Sequence, residues 1–200
     1  MSATLRWDVL AVLWCAFTLW YTNLGGPLSE QEIEALRARA AEEGRTLAQL
    51  ERLERFMLED DGGHFVMVNI LDLAPVDAEA NMARYMDYMW PALLARACHP
   101  IFLGTAIADA MDLAGVTGAE GGVGVWDQGA LLRYRSRRDL LEIAFDPAFA
   151  DAHPFKIEAL TKTIAFPVTP VLHPADPRMV LALVLLIVGL GLEVHALRRG

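Results

Sequence analysis

At 200 residues the chain has room for one domain of about 100 to 150 residues plus short attached segments, and its 54% apolar content is above the usual range for a soluble domain. Between Gly25 and Pro177 there are 24 acidic residues against 13 basic ones, a net charge of −11. That balance repels phosphate backbones and anionic headgroups, so no nucleic-acid partner is expected.

The apolar surplus lies at the two ends. Val9 to Leu24 reads VLAVLWCAFTLWYTNL, with Trp14, Trp20 and Tyr21 placed as interfacial aromatics. A cleaved signal peptide is the competing reading. Against it, the segment before the apolar run carries Arg6 with Asp8 nearby, and no small-x-small cleavage site precedes Gly25. Met179 to Leu192 is uncharged, and with the residues to Leu197 it gives about 28 Å of helix, enough to span a bilayer core. Pro174 and Pro177 precede it and Arg198-Arg199 close it. The expected domains are therefore a transmembrane anchor over 1–25, a membrane-proximal amphipathic helix over 26–62, an α+β domain over 63–172 and a second anchor over 173–200. Arg6, Arg198 and Arg199 flank the spans on their outer ends, which places both termini in the cytoplasm and the domain in the periplasm of a bacterial inner membrane. Ala11, Cys15, Gly189 and Gly191 are small surfaces suited to contacts between membrane helices. Cys15 and Cys98 lie too far apart for an internal disulfide, and cysteine usage fixes no redox compartment.

Within the domain, Ser29-Glu30-Gln31-Glu32 is a capping box that opens a long helical pattern, with a hinge at Gly44, ending near Asp60-Asp61-Gly62-Gly63. The pattern then changes to period two. His64 to Leu73 predicts a strand, with Val66, Val68 and Ile70 on one face and Phe65, Met67 and Leu71 on the other. Asp77 is placed to cap a helix running to about Cys98. A strand over Ile101 to Ala108, a Gly-rich link over Gly115 to Gly124 and a strand over Ala130 to Ser136 follow. Helices over Arg137 to Phe145 and Ala148 to Lys162, then a strand over Thr163 to Val171, complete the order βαββαβ. That order predicts a ferredoxin-like fold with helices on one sheet face.

Met67-Val-Asn69-Ile-Leu, Tyr85-x-x-Tyr88, Trp126-Asp127, Leu132-Arg-Tyr134-Arg-Ser136-Arg137 and Phe145-Asp146-Pro147 resemble, in order and spacing, a domain-of-unknown-function family of the dimeric α/β-barrel superfamily. The resemblance covers about residues 63–170. It implies a sheet whose free face packs on a second sheet, from another copy or a partner, and a cavity between sheet and helices. The superfamily includes antibiotic-biosynthesis monooxygenases, muconolactone isomerases and haem-dependent chlorite dismutases, whereas the family itself has no established reaction. Arg135 departs from the pattern, since similar sequences often carry proline there. So do the two anchors, since such domains are normally soluble.

Asn69 shares the Phe65/Met67/Leu71 face, so its amide could orient a ligand carbonyl in an apolar cavity; a plain hydrogen bond tying strand to helix is the simpler role. Tyr85 and Tyr88 fall on one helix face, where core packing competes with ligand contact. Trp126 enters a strand through a turn, and Tyr134 completes the cavity candidates. Arg133, Arg135 and Arg137 form a basic cluster suited to an anion or an acidic partner, or to salt bridges with surrounding carboxylates. His64, His99 and His153 have no ligand spacing, so no metal is expected. A single axial histidine leaves no motif, so haem stays open and the cofactor is unknown. No catalytic Ser/His/Asp, Cys/His or paired-carboxylate arrangement is visible.

Two functions fit these features. The preferred expectation is a non-catalytic accessory or assembly subunit of a larger integral membrane complex, for example respiratory or photosynthetic, its spans docking on partner helices and its domain capping them. The alternative is a membrane-anchored small-molecule enzyme or binder, monooxygenase-like or taking a quinone or aromatic compound in the sheet-to-helix cavity.

Overall fold

The computed structural model describes residues 2–114 and 124–199. In chain order the elements are α1 (Ala3–Tyr21), α2 (Glu30–Glu42), α3 (Leu47–Leu58), β1 (Phe65–Leu73), α4 (Ala78–Leu94), β2 (His99–Thr105), β3 (Gln128–Tyr134), α5 (Arg137–Ala144), α6 (Pro147–Glu158), β4 (Leu160–Val168) and α7 (Pro177–Leu197). They form two compact units, one of residues 1–24 with 170–200 and one of residues 25–169. The Gly-rich link falls outside the described residues except for Gly124.

In the first unit α1 and α7 pack as an antiparallel pair, and each is long and apolar enough to cross a membrane. Polar contacts mark both ends of the pair. Arg6 donates to Glu193 at 2.9 Å, and Trp14 Nε1 donates to the Arg178 carbonyl at 3.0 Å. Between them the Trp7 ring covers Gly189, where a Cβ would lie 2.6 Å from the ring Cζ3. Gly189 is thus consumed by the chain's own helix pair, while Ala11, Cys15 and Gly191 remain exposed.

The second unit holds a four-stranded sheet in the order β2-β3-β1-β4, with every neighbouring pair antiparallel. With the element order βαββαβ this is a ferredoxin-like α+β fold. Both strand prolines, Pro100 in β2 and Pro167 in β4, sit on edge strands, where a missing N–H costs least. Alternation along β1 sorts the two faces. Phe65, Met67, Asn69 and Leu71 face the helices, and a core forms there around Phe65, Tyr85, Met89, Leu93, Cys98, Tyr134 and Ile143. The Phe65 and Tyr134 rings, opposite in register, stack 5.3 Å apart, a pair worth roughly 1 kcal/mol beyond its buried area.

The other face carries Val66, Val68 and Ile70 with their partners Val168, Phe166 and Ile164 on β4. No helix covers it. Phe102 (55%), Ile164 (48%) and Phe166 (43%) stay exposed there.

The Ser29–Glu32 capping box forms as expected. The long helix is two helices, because Gly44 adopts φ +68 and a second capping box, Thr46–Gln49, starts α3. Both fold onto α5, where Leu28, Ile33, Ala40 and Met57 make a second core with Leu141 and Phe145. Asp77 stands at the α4 N-cap, yet its side chain makes no cap bond. It sits in the left-handed region at φ 56, which aspartate tolerates better than most residues. Helix α4 stops at Leu94 instead of Cys98 because Ala97 turns to φ 54 and the Cys98 N–H folds back to the Leu93 carbonyl at 2.9 Å. Helix α6 ends at Glu158 and β4 begins at Leu160, not Thr163, since Leu160 pairs with Leu73.

Candidate functional site

Between the sheet and helices α4, α5 and α6 lies a cavity of about 330 Å³. Period-two alternation brings Met67, Asn69 and Leu71 to its floor. The α4 spacing brings Met82, Tyr85, Met86 and Met89 to one wall, and Phe149, His153 and Lys156, at i, i+4 and i+7 of α6, form another. Methionine thioethers make such a wall adaptable in shape.

Of the expected cavity residues, the fold gathers Asn69, Tyr85 and Tyr134. Asn69 is buried; its Nδ2 donates to the Met67 carbonyl at 3.2 Å and the Ala130 carbonyl at 3.5 Å. The bond ties strand to strand, not strand to helix, and leaves the amide oxygen free to accept. The Tyr85 and Tyr134 hydroxyls have no hydrogen-bond partner among the described residues, and burial pushes both phenol pKa values up, so they stay protonated donors. Buried tyrosine hydroxyls usually find a partner. Two unpaired ones at one cavity are what a polar group of a ligand, or water, would satisfy.

Tyr88 and Trp126 are not brought to this cavity. The Tyr88 hydroxyl donates to the Ile143 carbonyl at 3.3 Å, binding α4 to α5. The Trp126 ring lies under the Lys162 ammonium at 4.7 Å. Its neighbour Asp127 pins strand ends together, accepting from the Leu73 N–H at 2.6 Å and from the Ala106 N–H, through its carbonyl, at 2.7 Å. This turn is a structural clamp.

The arginine cluster is dispersed among partners inside the domain. Arg133, 2% exposed, donates to the Ala97 carbonyl at 2.8 Å. Arg135 grips Asp139 with Nε at 3.0 Å and Nη2 at 2.6 Å, and Ser136 donates to the same carboxylate while capping α5. Arg137 donates to the Phe56 carbonyl and lies 4.9 Å from the Phe56 ring centroid. These groups weld α3, α5 and the sheet edge together, and no open anion patch results at these three positions.

Two cavity groups carry weight that the sequence reading did not give them. Lys156 Nζ stands 5.7 Å from the Tyr85 ring centroid, with no carboxylate or hydrogen-bond partner among the described residues. Burial lowers its pKa. His153 is lowered too, by burial first and then by Lys156 and Arg45. The face shared by Phe149, His153 and Lys156 was the signal available. Among the described residues no group of three His, Cys, Asp or Glu is placed to hold a metal ion. Cys15 and Cys98 are both unpaired, and burial raises the Cys98 thiol to about 11.

No family model matches the chain, and no curated protein matches it. Solved structures similar to it include a protein of unknown function from Rhodopseudomonas palustris, 18% identical over 62% of this chain and 94% of that one, with a TM-score of 0.49. A protein from Bacteroides thetaiotaomicron assigned as an antibiotic biosynthesis monooxygenase is 9% identical over 57% of this chain and 95% of that one, with a TM-score of 0.40. A dimeric ferredoxin-like protein of unknown function from Jannaschia is 10% identical over 54% of this chain and 100% of that one, with a TM-score of 0.38.

Proposed function

We propose that the chain is a membrane-anchored small-molecule binder or enzyme that takes a flat, largely apolar compound, such as a quinone or an aromatic molecule, in the cavity between sheet and helices. The carrying observation is the cavity itself, about 330 Å³ and lined by apolar side chains with Asn69, Tyr85 and Tyr134 as convergent polar groups. Ligand pockets combine these properties, with a few polar groups that orient and apolar walls that bind. Anchoring by α1 and α7 would bring the cavity close to compounds dissolved in the bilayer.

The test is calorimetric titration of the full chain in mild detergent with 2-methyl-1,4-naphthoquinone. Saturable binding is expected, weakened at least tenfold by Ala130→Trp, which fills the floor beside Asn69. Equal heats for the two proteins would overturn the reading, provided both melt at similar temperatures.

The proposed orientation has both termini in the cytoplasm and the domain in the periplasm of a bacterial inner membrane, supported by Arg198 and Arg199 just past α7 and by Arg6 near the start of α1. An exposed Asp112→Cys should then react with a membrane-impermeant maleimide in cells whose outer membrane alone is opened. Labelling only after full lysis would reverse the orientation.

A second reading, an accessory subunit of a larger integral membrane complex, is favoured by the uncovered apolar sheet face around Phe102, Ile164 and Phe166. Another subunit's sheet would cover it.

A further inference from the structure

We propose that the cavity selects an anionic ligand, and that Lys156 is the specificity-determining residue, its ammonium pairing with a carboxylate, phenolate or enolate borne on an apolar ring system. This deepens the cavity reading above and rests on it. Four observations lead there. Lys156 is one of only two lysines in a chain that otherwise uses arginine for its positive charge. Its side chain lines the cavity from α6, at the same wall as His153 and Phe149. No Asp or Glu lines that cavity among the described residues, although the domain as a whole is strongly acidic. Finally, among the described residues the ammonium faces the Tyr85 ring, 5.7 Å away, and its nearby titratable neighbour is His153, a base and not a carboxylate.

Lys156 is half-buried, and an ammonium partly withdrawn from water without a counter-ion carries a desolvation cost that a ring face repays only in part. The other lysine shows the ordinary solution, for Lys162 lies 3.6 Å from Asp72 as well as over Trp126. Arginines in the same domain likewise find carboxylates, as Arg135 finds Asp139 and Arg138 finds Glu32. The missing carboxylate at Lys156 is then the ligand's. The unpaired Tyr85 and Tyr134 hydroxyls and the free Asn69 oxygen supply the uncharged contacts, two donors and one acceptor, for the rest of the molecule. A neutral amine would serve a different chemistry, and the test separates charge recognition from mere packing.

The experiment uses the full chain in mild detergent and two probes of matched size, naphthalene-2-carboxylate and naphthalene-2-carboxamide, titrated by calorimetry. The expected result is at least tenfold tighter binding of the carboxylate. Lys156→Met, which keeps the stem and removes the charge, should erase that preference while leaving the carboxamide affinity within about threefold, and Lys156→Arg should keep most of the preference. Lys156→Met should also raise the melting temperature of the ligand-free protein, because a half-buried charge without a carboxylate is removed; a lysine held for structural reasons would give the opposite shift. Two results overturn the proposal: equal affinity for the two probes, or a carboxylate preference that survives Lys156→Met. If both probes bind equally, the cavity reading stands and only the role of Lys156 falls. If neither probe binds and the Ala130→Trp protein behaves identically, the cavity reading falls with it.

Discussion

Glu32 closes the α2 capping box on Ser29 and also accepts the Arg138 guanidinium at 2.7 Å, so one carboxylate serves a helix start and a bridge from α2 to α5. The Arg138 bond first, then the two bonds from Ser29, hold its pKa down at about 2, below an ordinary glutamate at 4.5. A carboxylate depressed in the folded state contributes stability that is fully present above about pH 4.5 and is lost as pH falls toward about 2. The group is 40% exposed, so solvent screening limits the contribution to about 1 kcal/mol or less. Glu32→Gln keeps a side chain that can complete the box but cannot ionise. Melting of the full chain in detergent, near neutral pH and at about pH 3, should therefore show a smaller acid-induced drop for the variant than for the parent. An identical drop in both would assign the acid sensitivity elsewhere.

At the scale of elements, what local chemistry encodes was legible and what distant contacts decide was not. The Ser29 capping box, the alternation of β1 and the helix-to-strand order were readable because each is carried by neighbours within a few residues. The βαββαβ order was enough to anticipate the ferredoxin-like topology. The end of α4 moved where a single backbone angle intervened, at Ala97, and the hinge expected at Gly44 is a full break between two helices. Thr46–Gln49, a second capping box, carried the clue to the helix break. The site was half legible. Asn69 and Tyr134 alternate in register with known core positions, and Tyr85 lies on the buried stripe of α4, so periodicity places all three. Lys156 escaped because a lysine on a short helix reads as a solvent-facing position, and it is the packing of α4 against α6 that half-buries it. For the arginines, internal bonding was one of the two readings open, and distance in sequence hid most of the partners. Arg133 and Arg137 reach the Ala97 and Phe56 carbonyls, tens of residues away, while Arg135 turns to Asp139 one helical turn on, so a sequence cluster became three separate bonds.

At the scale of the whole molecule, the sheet face of the acidic domain opposite its helices is an apolar surface that the described residues of the domain leave uncovered. Val66 is buried there by its neighbours, yet Ile164, Phe166 and Phe102 are about half exposed. The Phe102 ring lies across Gly104, where a Cβ would come within 2.7 Å of it, so the aromatic is laid flat along the face instead of standing out from it. A smooth apolar sheet suits a second flat sheet, and two such faces would bury each other's aromatics about 10 Å apart. A second copy of this chain satisfies that requirement without any further protein. The full chain in mild detergent should therefore measure, by light scattering after correction for bound detergent, at twice the monomer mass. Phe166→Glu, placed at a position exposed within one copy, should reduce it to one, because two carboxylates would be forced into an apolar contact. The variant's cavity lies on the opposite face, so its naphthoquinone binding should persist and report that the fold is intact. A parent protein already monomeric, with another membrane protein bound in fixed ratio and lost on Phe166→Glu, would instead assign the face to a partner subunit.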